Sequence, residues 1–112
     1  MPVKAMLKYL FGETALVKIL DFFLENRFWD YTKAEVAREA GVSRAQLYRV
    51  WPVLEKLEIV QASRRIGAAT LYRANTESPV FRKLSELSLE VASKTAEETI
   101  GEEEKAAVPL KA

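Results

Sequence analysis

The stretch Ser43-Arg44-Ala45-Gln46-Leu47-Tyr48-Arg49 gathers two guanidinium groups, a carboxamide, a phenol and a leading hydroxyl within about two turns of a helix. An arginine can grip O6 and N7 of guanine with two hydrogen bonds, and a glutamine can do the same to N6 and N7 of adenine. A serine at a helix start, with the free N–H groups behind it, suits a phosphate. Further on, Arg64, Arg65 and Arg73 flank the short run Ile66-Gly67-Ala68. A thin basic loop of this kind can lie on the sugar-phosphate backbone or enter the minor groove. Ser43, Arg44, Gln46, Tyr48, Arg49, Arg64, Arg65 and Arg73 are therefore the candidate contacts to double-stranded DNA.

Other chemistries find little support. The 112 residues include no histidine and no cysteine, which removes the commonest general base, the commonest metal ligands and any thiolate nucleophile. No Gly-rich phosphate loop or paired-carboxylate motif stands out, so no enzyme, metal or cofactor is expected. The net charge is only +1. Its distribution is uneven: residues 27–76 carry nine Lys/Arg against five acids, and residues 77–112 carry five against eight. A basic centre is thus hidden in a near-neutral sum. Neither a signal peptide nor an apolar run of about 20 residues is visible, so a cytoplasmic protein with no membrane partner is expected.

The elements that position these residues follow from periodicity. Val3, Met6, Leu7 and Leu10 give a short amphipathic helix, interrupted at Gly12. A second helix runs from Thr14 to about Asn26, and Phe28-Trp29-Asp30-Tyr31 reads as a connector or brief strand. Thr32-Lys33-Ala34-Glu35 is a capping box that opens a third helix, ended by Gly41. Ser43 opens a fourth through Leu57, with Leu47, Val50, Trp51, Leu54 and Leu57 inward and Pro52 predicting a kink or loosened turn. Two strands, 59–65 and 69–73, then form a hairpin, and Ser78-Pro79 starts a last helix. The whole is mainly α with a small β-hairpin wing. A helix-turn-helix at 32–57, a wing at 59–73 and a C-terminal helix at 78–96 make one domain over 1–96. Residues 97–112 read as an acidic tail that frays.

Thr32-Lys33-Ala34-Glu35-Val36-Ala37-Arg38-Glu39-Ala40-Gly41-Val42-Ser43, Leu47-Tyr48-Arg49, Leu54-Glu55-Lys56-Leu57-Glu58-Ile59-Val60 and the wing Arg64–Tyr72 resemble winged helix-turn-helix transcription regulators. The resemblance covers roughly 14–95. It is to small archaeal-type regulators related to the arsenic-repressor-like and multiple-antibiotic-resistance-regulator-like groups. It implies a sequence-specific double-stranded DNA-binding regulator, with helix 43–57 in the major groove and residues 64–73 on the backbone or minor groove. Many relatives have glycine where Glu58 stands, and Pro52 is uncommon across the fold.

Plainer roles stand beside these. Ser43 and Gln46 form S-x-x-Q, itself a capping box. Tyr48 can cover the apolar stripe, and Arg64 and Arg65 alternate across a strand. Lys33 and Arg38 could touch phosphate, but exposed charges on a helix usually do nothing specific. Val80, Leu84, Leu87 and Val91 form a heptad-like seam of two heptads. With Met6, Leu7, Leu10 and Phe11 it is the expected homodimer interface; covering the domain's own core is the other reading. The competing function is a winged-helix protein-interaction or assembly module in transcription or replication machinery, and structured RNA is a third possibility. No residue set identifies a small-molecule effector.

Overall fold

The computed structural model describes residues 5–105 of the chain, with side chains described to residue 96. The order is α1 (Leu7–Phe11), α2 (Ala15–Glu25), β1 (Asp30–Tyr31), α3 (Lys33–Ala40), α4 (Arg44–Lys56), β2 (Val60–Ile66), β3 (Ala69–Ala74) and α5 (Pro79–Lys105). The three strands form one antiparallel sheet in the order β1-β3-β2. Helices α3 and α4 with a two-stranded wing behind them are the winged helix-turn-helix arrangement.

Helix starts follow side-chain caps. The Thr14 hydroxyl accepts the Val17 N–H at 3.2 Å and opens α2. Thr32 and Glu35 exchange hydrogen bonds at 3.1 and 2.8 Å, the capping box expected for α3. Gly41, at φ 76°, ends α3 in a Schellman motif: its N–H reaches the Arg38 carbonyl and the Val42 N–H reaches that of Ala37. Glu58 does the same for α4 at φ 57°, with its N–H on Glu55 and the Ile59 N–H on Leu54. The wing tip narrows to Gly67-Ala68, since Ile66 pairs with Ala69. A positive φ at Gly67 alone fits the type II′ hairpin.

The core gathers around α2. Phe23, Trp51 and Phe81 are its largest fully buried side chains, joined by Ile19, Leu47, Leu54 and Ile59. Edge-to-face ring pairs link Phe22 to Phe23 and Tyr31, and Trp51 to Tyr72, so the sheet and α4 share one aromatic layer.

Several expectations need correction. Helix α1 is one turn and a half, beginning at Leu7; Val3 lies outside the described residues. Helix α4 continues through Pro52, which is exposed and has no N–H to give the Tyr48 carbonyl. Helix α5 runs past residue 96 to Lys105, a stretch of nine residues that includes five glutamates and a lysine, both good helix formers; the rest of the expected tail, 106–112, lies outside the described residues. The brief strand offered for the Phe28–Tyr31 segment is present as Asp30–Tyr31, on the outer edge of β3.

Candidate nucleic-acid interface

The face of α4 away from the core carries the residues singled out above. Leu47, Trp51 and Leu54 point inward. Arg44, Ala45, Gln46, Tyr48 and Arg49 are all exposed. The Ser43 hydroxyl accepts the Gln46 N–H at 3.0 Å, and Gln46 Oε1 accepts the Ser43 N–H at 2.9 Å. That is the capping role, and it commits the amide oxygen that a two-point grip on adenine needs. Arg44 and Arg49 have no carboxylate within ion-pair distance among the described residues. Their charge is open to an anion.

The wing divides its arginines between two faces. Residues directly opposite in an antiparallel pair share a face. Arg65 pairs with Thr70 and Tyr31 with Tyr72, on the side that meets α3 and α4. Arg64 pairs with Leu71 and Asp30 with Arg73, on the other side. The register shifts between Ala62 and Arg64, leaving Ser63 as the extra residue of a bulge. Both Ser63 and Arg64 then reach Asp30. Arg64 Nε and Nη2 donate to the two carboxylate oxygens at 2.8 and 3.2 Å, and the Ser63 hydroxyl donates at 2.6 Å. The Arg64 guanidinium, and after it the Ser63 hydroxyl, hold the Asp30 carboxyl below its usual range. Arg64 is thus pinned by a partner of opposite charge. Arg65 and Arg73 have no ion-pair partner among the described residues.

A groove of about 250 Å³ lies between α4 and the wing, lined by Thr32, Lys33, Ala34, Arg44, Tyr48, Ala69, Thr70 and Tyr72. No acidic residue lines it. Lys33 projects from the first position of α3 so that its Nζ lies 5.1, 5.2 and 5.4 Å from the ring centres of Tyr48, Trp51 and Tyr72. Sequence reasoning offered Lys33 a phosphate contact but favoured a plain surface charge, and it did not single out Asp30. Both roles depend on tertiary register, which no local pattern carries.

The expected dimer residues scatter. Leu7 is wholly buried in the chain's own core. It offers no surface to a partner, because it faces α2, where Asp21 holds the start of its helix. Val80 and Leu84 are half-buried against the same core. The buried stripe of α5 is instead Phe81, Ser85 and Ser88, continued by Ser78 just before the helix. Met6 and Val91 are half-buried, while Leu10, Phe11 and Leu87 are exposed. Tyr9 and Leu89, which sequence reasoning left out, add to this exposed apolar set. The backbone of α1 is tied down by side chains: Glu25 accepts the Ala5 N–H at 2.8 Å, Ser88 that of Met6 at 2.9 Å, and Asp21 those of Leu7 and Lys8 at 3.0 and 3.1 Å. These bonds satisfy N–H groups that a helix start leaves orphaned, and they hold α1 against α2 and α5. Burial pushes the Asp21 carboxyl up despite its two amide bonds.

No protein-family model matches the chain, and no curated protein matches it. Solved structures do. A zinc-responsive MarR family member, ZitR of Lactococcus lactis, matches at 17% identity and TM-score 0.54, over 73% of this chain and 58% of that one. Wild-type ZitR in complex with DNA matches at 15% identity and TM-score 0.53, over 73% and 57%. An apo double mutant of ZitR matches at 15% and TM-score 0.60, over 86% and 74%. In most of these matches the chain spans a little under three-fifths of the ZitR chain. These neighbours answer to the multiple-antibiotic-resistance-regulator side of the resemblance, and they come from Lactococcus lactis rather than an archaeon. At such identities the likeness is one of fold, and that fold is the winged helix.

Proposed function

We propose that this chain is a sequence-specific double-stranded DNA-binding transcription regulator that acts as a homodimer. The observation that carries the reading is the basic surface of α4 and the wing: two exposed arginines on α4, Arg44 and Arg49, are without carboxylate partners among the described residues, and Arg65 stands on the sheet face that meets α3 and α4. Helix α4 lies in the major groove, with Arg44 and Arg49 as the base and phosphate contacts and Tyr48 beside them. Ser43 and Gln46 shape the helix start. Arg65 grips the backbone. Arg64 and Arg73, on the opposite sheet face, are secondary to it. The occurrence of DNA complexes among the ZitR structures is consistent with this assignment.

Two considerations support pairing. One winged helix covers about 600–1,000 Å² on DNA, so high specificity needs two. Leu10 and Phe11 on α1, with Leu87 and Leu89 on α5, give exposed apolar side chains on two helices that Ser88 binds together. Two-fold pairing there would set the reading helices about 34 Å apart on a near-palindromic site.

The test is fluorescence anisotropy with random duplex and with DNA from upstream of the protein's own gene, across a salt series. With roughly 6–10 phosphate contacts per dimer, affinity falls by ~10³–10⁵ between 50 and 200 mM salt. A flat salt response, or no binding at low salt, refutes the proposal and favours an assembly module.

A further inference from the structure

Two cations near the wing are held in place by opposite means. Arg64 is fixed by a carboxylate, so its charge is cancelled where it is positioned. Lys33 is fixed by rings. Its ammonium sits within cation–π range of Tyr48, Trp51 and Tyr72 at once, in a groove that no acidic residue lines. A ring attracts a cation through its quadrupole and carries no net charge, so this cage restrains the ammonium and leaves its full positive charge in force. A lysine side chain normally surrenders several rotatable bonds when it meets a ligand. Here three aromatic residues from α4 and β3 have already restricted it, beside Arg44 and the Thr70 hydroxyl.

We infer that Lys33 is a preorganised clamp for a DNA backbone phosphate, seated between the reading helix and the wing, with Tyr48, Trp51 and Tyr72 as its positioning residues. The inference rests on the DNA-binding reading and extends it to a residue on the first helix of the helix-turn-helix. The chemistry of the groove selects the ligand: two cations, a threonine hydroxyl and no carboxylate suit a compact anion. Because the contact is to phosphate, it strengthens binding to every sequence alike and adds no base preference.

The experiment compares wild type, Lys33→Met, Lys33→Arg and the control Lys56→Met, all full length, on specific and random duplexes over a salt series. Lys56 lies at the far end of α4, a helix away from Arg44. One phosphate contact carries about 0.9 log units of affinity per log unit of salt. Lys33→Met therefore lowers the slope by about 1 per protomer, about 2 for the dimer, and weakens both duplexes about eightfold per protomer, or roughly 60-fold for the dimer, at 0.1 M salt. Lys33→Arg keeps the wild-type slope, and so does Lys56→Met. A purely structural role for Lys33 would shift the melting temperature and leave the slope where it was. In the free protein, ring currents move the Lys33 ε-methylene protons upfield in NMR spectra; ordinary lysine shifts overturn the cage. Salt-sensitive binding that is unchanged in Lys33→Met overturns the clamp and leaves the DNA reading standing. No duplex binding by the wild type overturns both.

Discussion

Glu58→Gly should stabilise the protein, and the size of the gain can be worked from the backbone. Glu58 is the non-glycine residue with positive φ among the described residues, at 57°. It occupies the left-handed position of the Schellman motif that ends α4, where its own N–H and that of Ile59 satisfy the last carbonyls. Its side chain is exposed and makes no hydrogen bond or ion pair among the described residues. The Cβ clash in this conformation costs roughly 1–2 kcal/mol. Glycine removes that cost but loses about 0.5–1 kcal/mol through its freer unfolded chain. At the middle of these ranges the net is a gain of about 0.75 kcal/mol, or a rise in Tm of roughly 3–6 °C for a domain near 100 residues. Circular dichroism melts at one fixed protein concentration measure it, with urea titrations checking that the m-value stays constant. Glu58→Ala keeps the Cβ and gains nothing. An unchanged or lowered Tm in Glu58→Gly, or an equal rise in Glu58→Ala, refutes the strain argument.

The wing should show its two faces in binding. Arg65→Ala lowers the salt slope by about 1 per protomer, Arg64→Ala leaves it nearly unchanged, and Arg44→Ala costs about 1–3 kcal/mol on a specific site; equal slopes for Arg64→Ala and Arg65→Ala would erase the distinction. Leu10→Glu with Leu87→Glu, both exposed, converts a dimer to a folded monomer in sedimentation, with tight DNA binding lost; a wild type that is monomeric at tens of micromolar removes the dimer. Asp21 binds its proton more tightly in the folded state, so that contribution is full below about pH 4 and is lost as pH rises through the folded-state value. The stability of Asp21→Asn relative to wild type therefore shifts in the variant's favour between pH 3 and pH 7 in denaturant titrations, and a constant offset contradicts the raised value.

Local signals in the sequence were good guides wherever local chemistry decides the structure. The Thr32–Glu35 and Ser43–Gln46 boxes, the Gly41 turn and the Gly67 tip are each set by a few neighbouring residues, and each lies where its spacing predicts. Placement across the fold was less legible. The seam Val80, Leu84, Leu87, Val91 has heptad spacing, yet Phe81 and three serines turn inward, because Ser78, Ser85 and Ser88 each find a partner: Ser78 the Phe81 N–H and the Leu57 carbonyl, Ser85 the Arg27 guanidinium, and Ser88 the Met6 N–H. Hydrophobic periodicity counts a serine as polar and misses a buried, satisfied one. The cage around Lys33 draws on three elements, and the Asp30–Arg64 pair depends on a bulge at Ser63; neither leaves a trace in sequence spacing.

The bond from the Met6 N–H to the Ser88 hydroxyl joins residues 82 positions apart. Five residues cannot hold a helix in water unaided, so α1 relies on α2 and α5 together, and its anchoring is complete only once α5 is beside it. During synthesis, at about 5–20 residues per second, the N-terminal segment waits several seconds for its anchor to be made. The apolar surface that α1 shares with α5 comes into being only when most of the chain has emerged. For the homodimer proposed above, two nascent copies on neighbouring ribosomes would have no completed surface with which to pair until α5 has emerged.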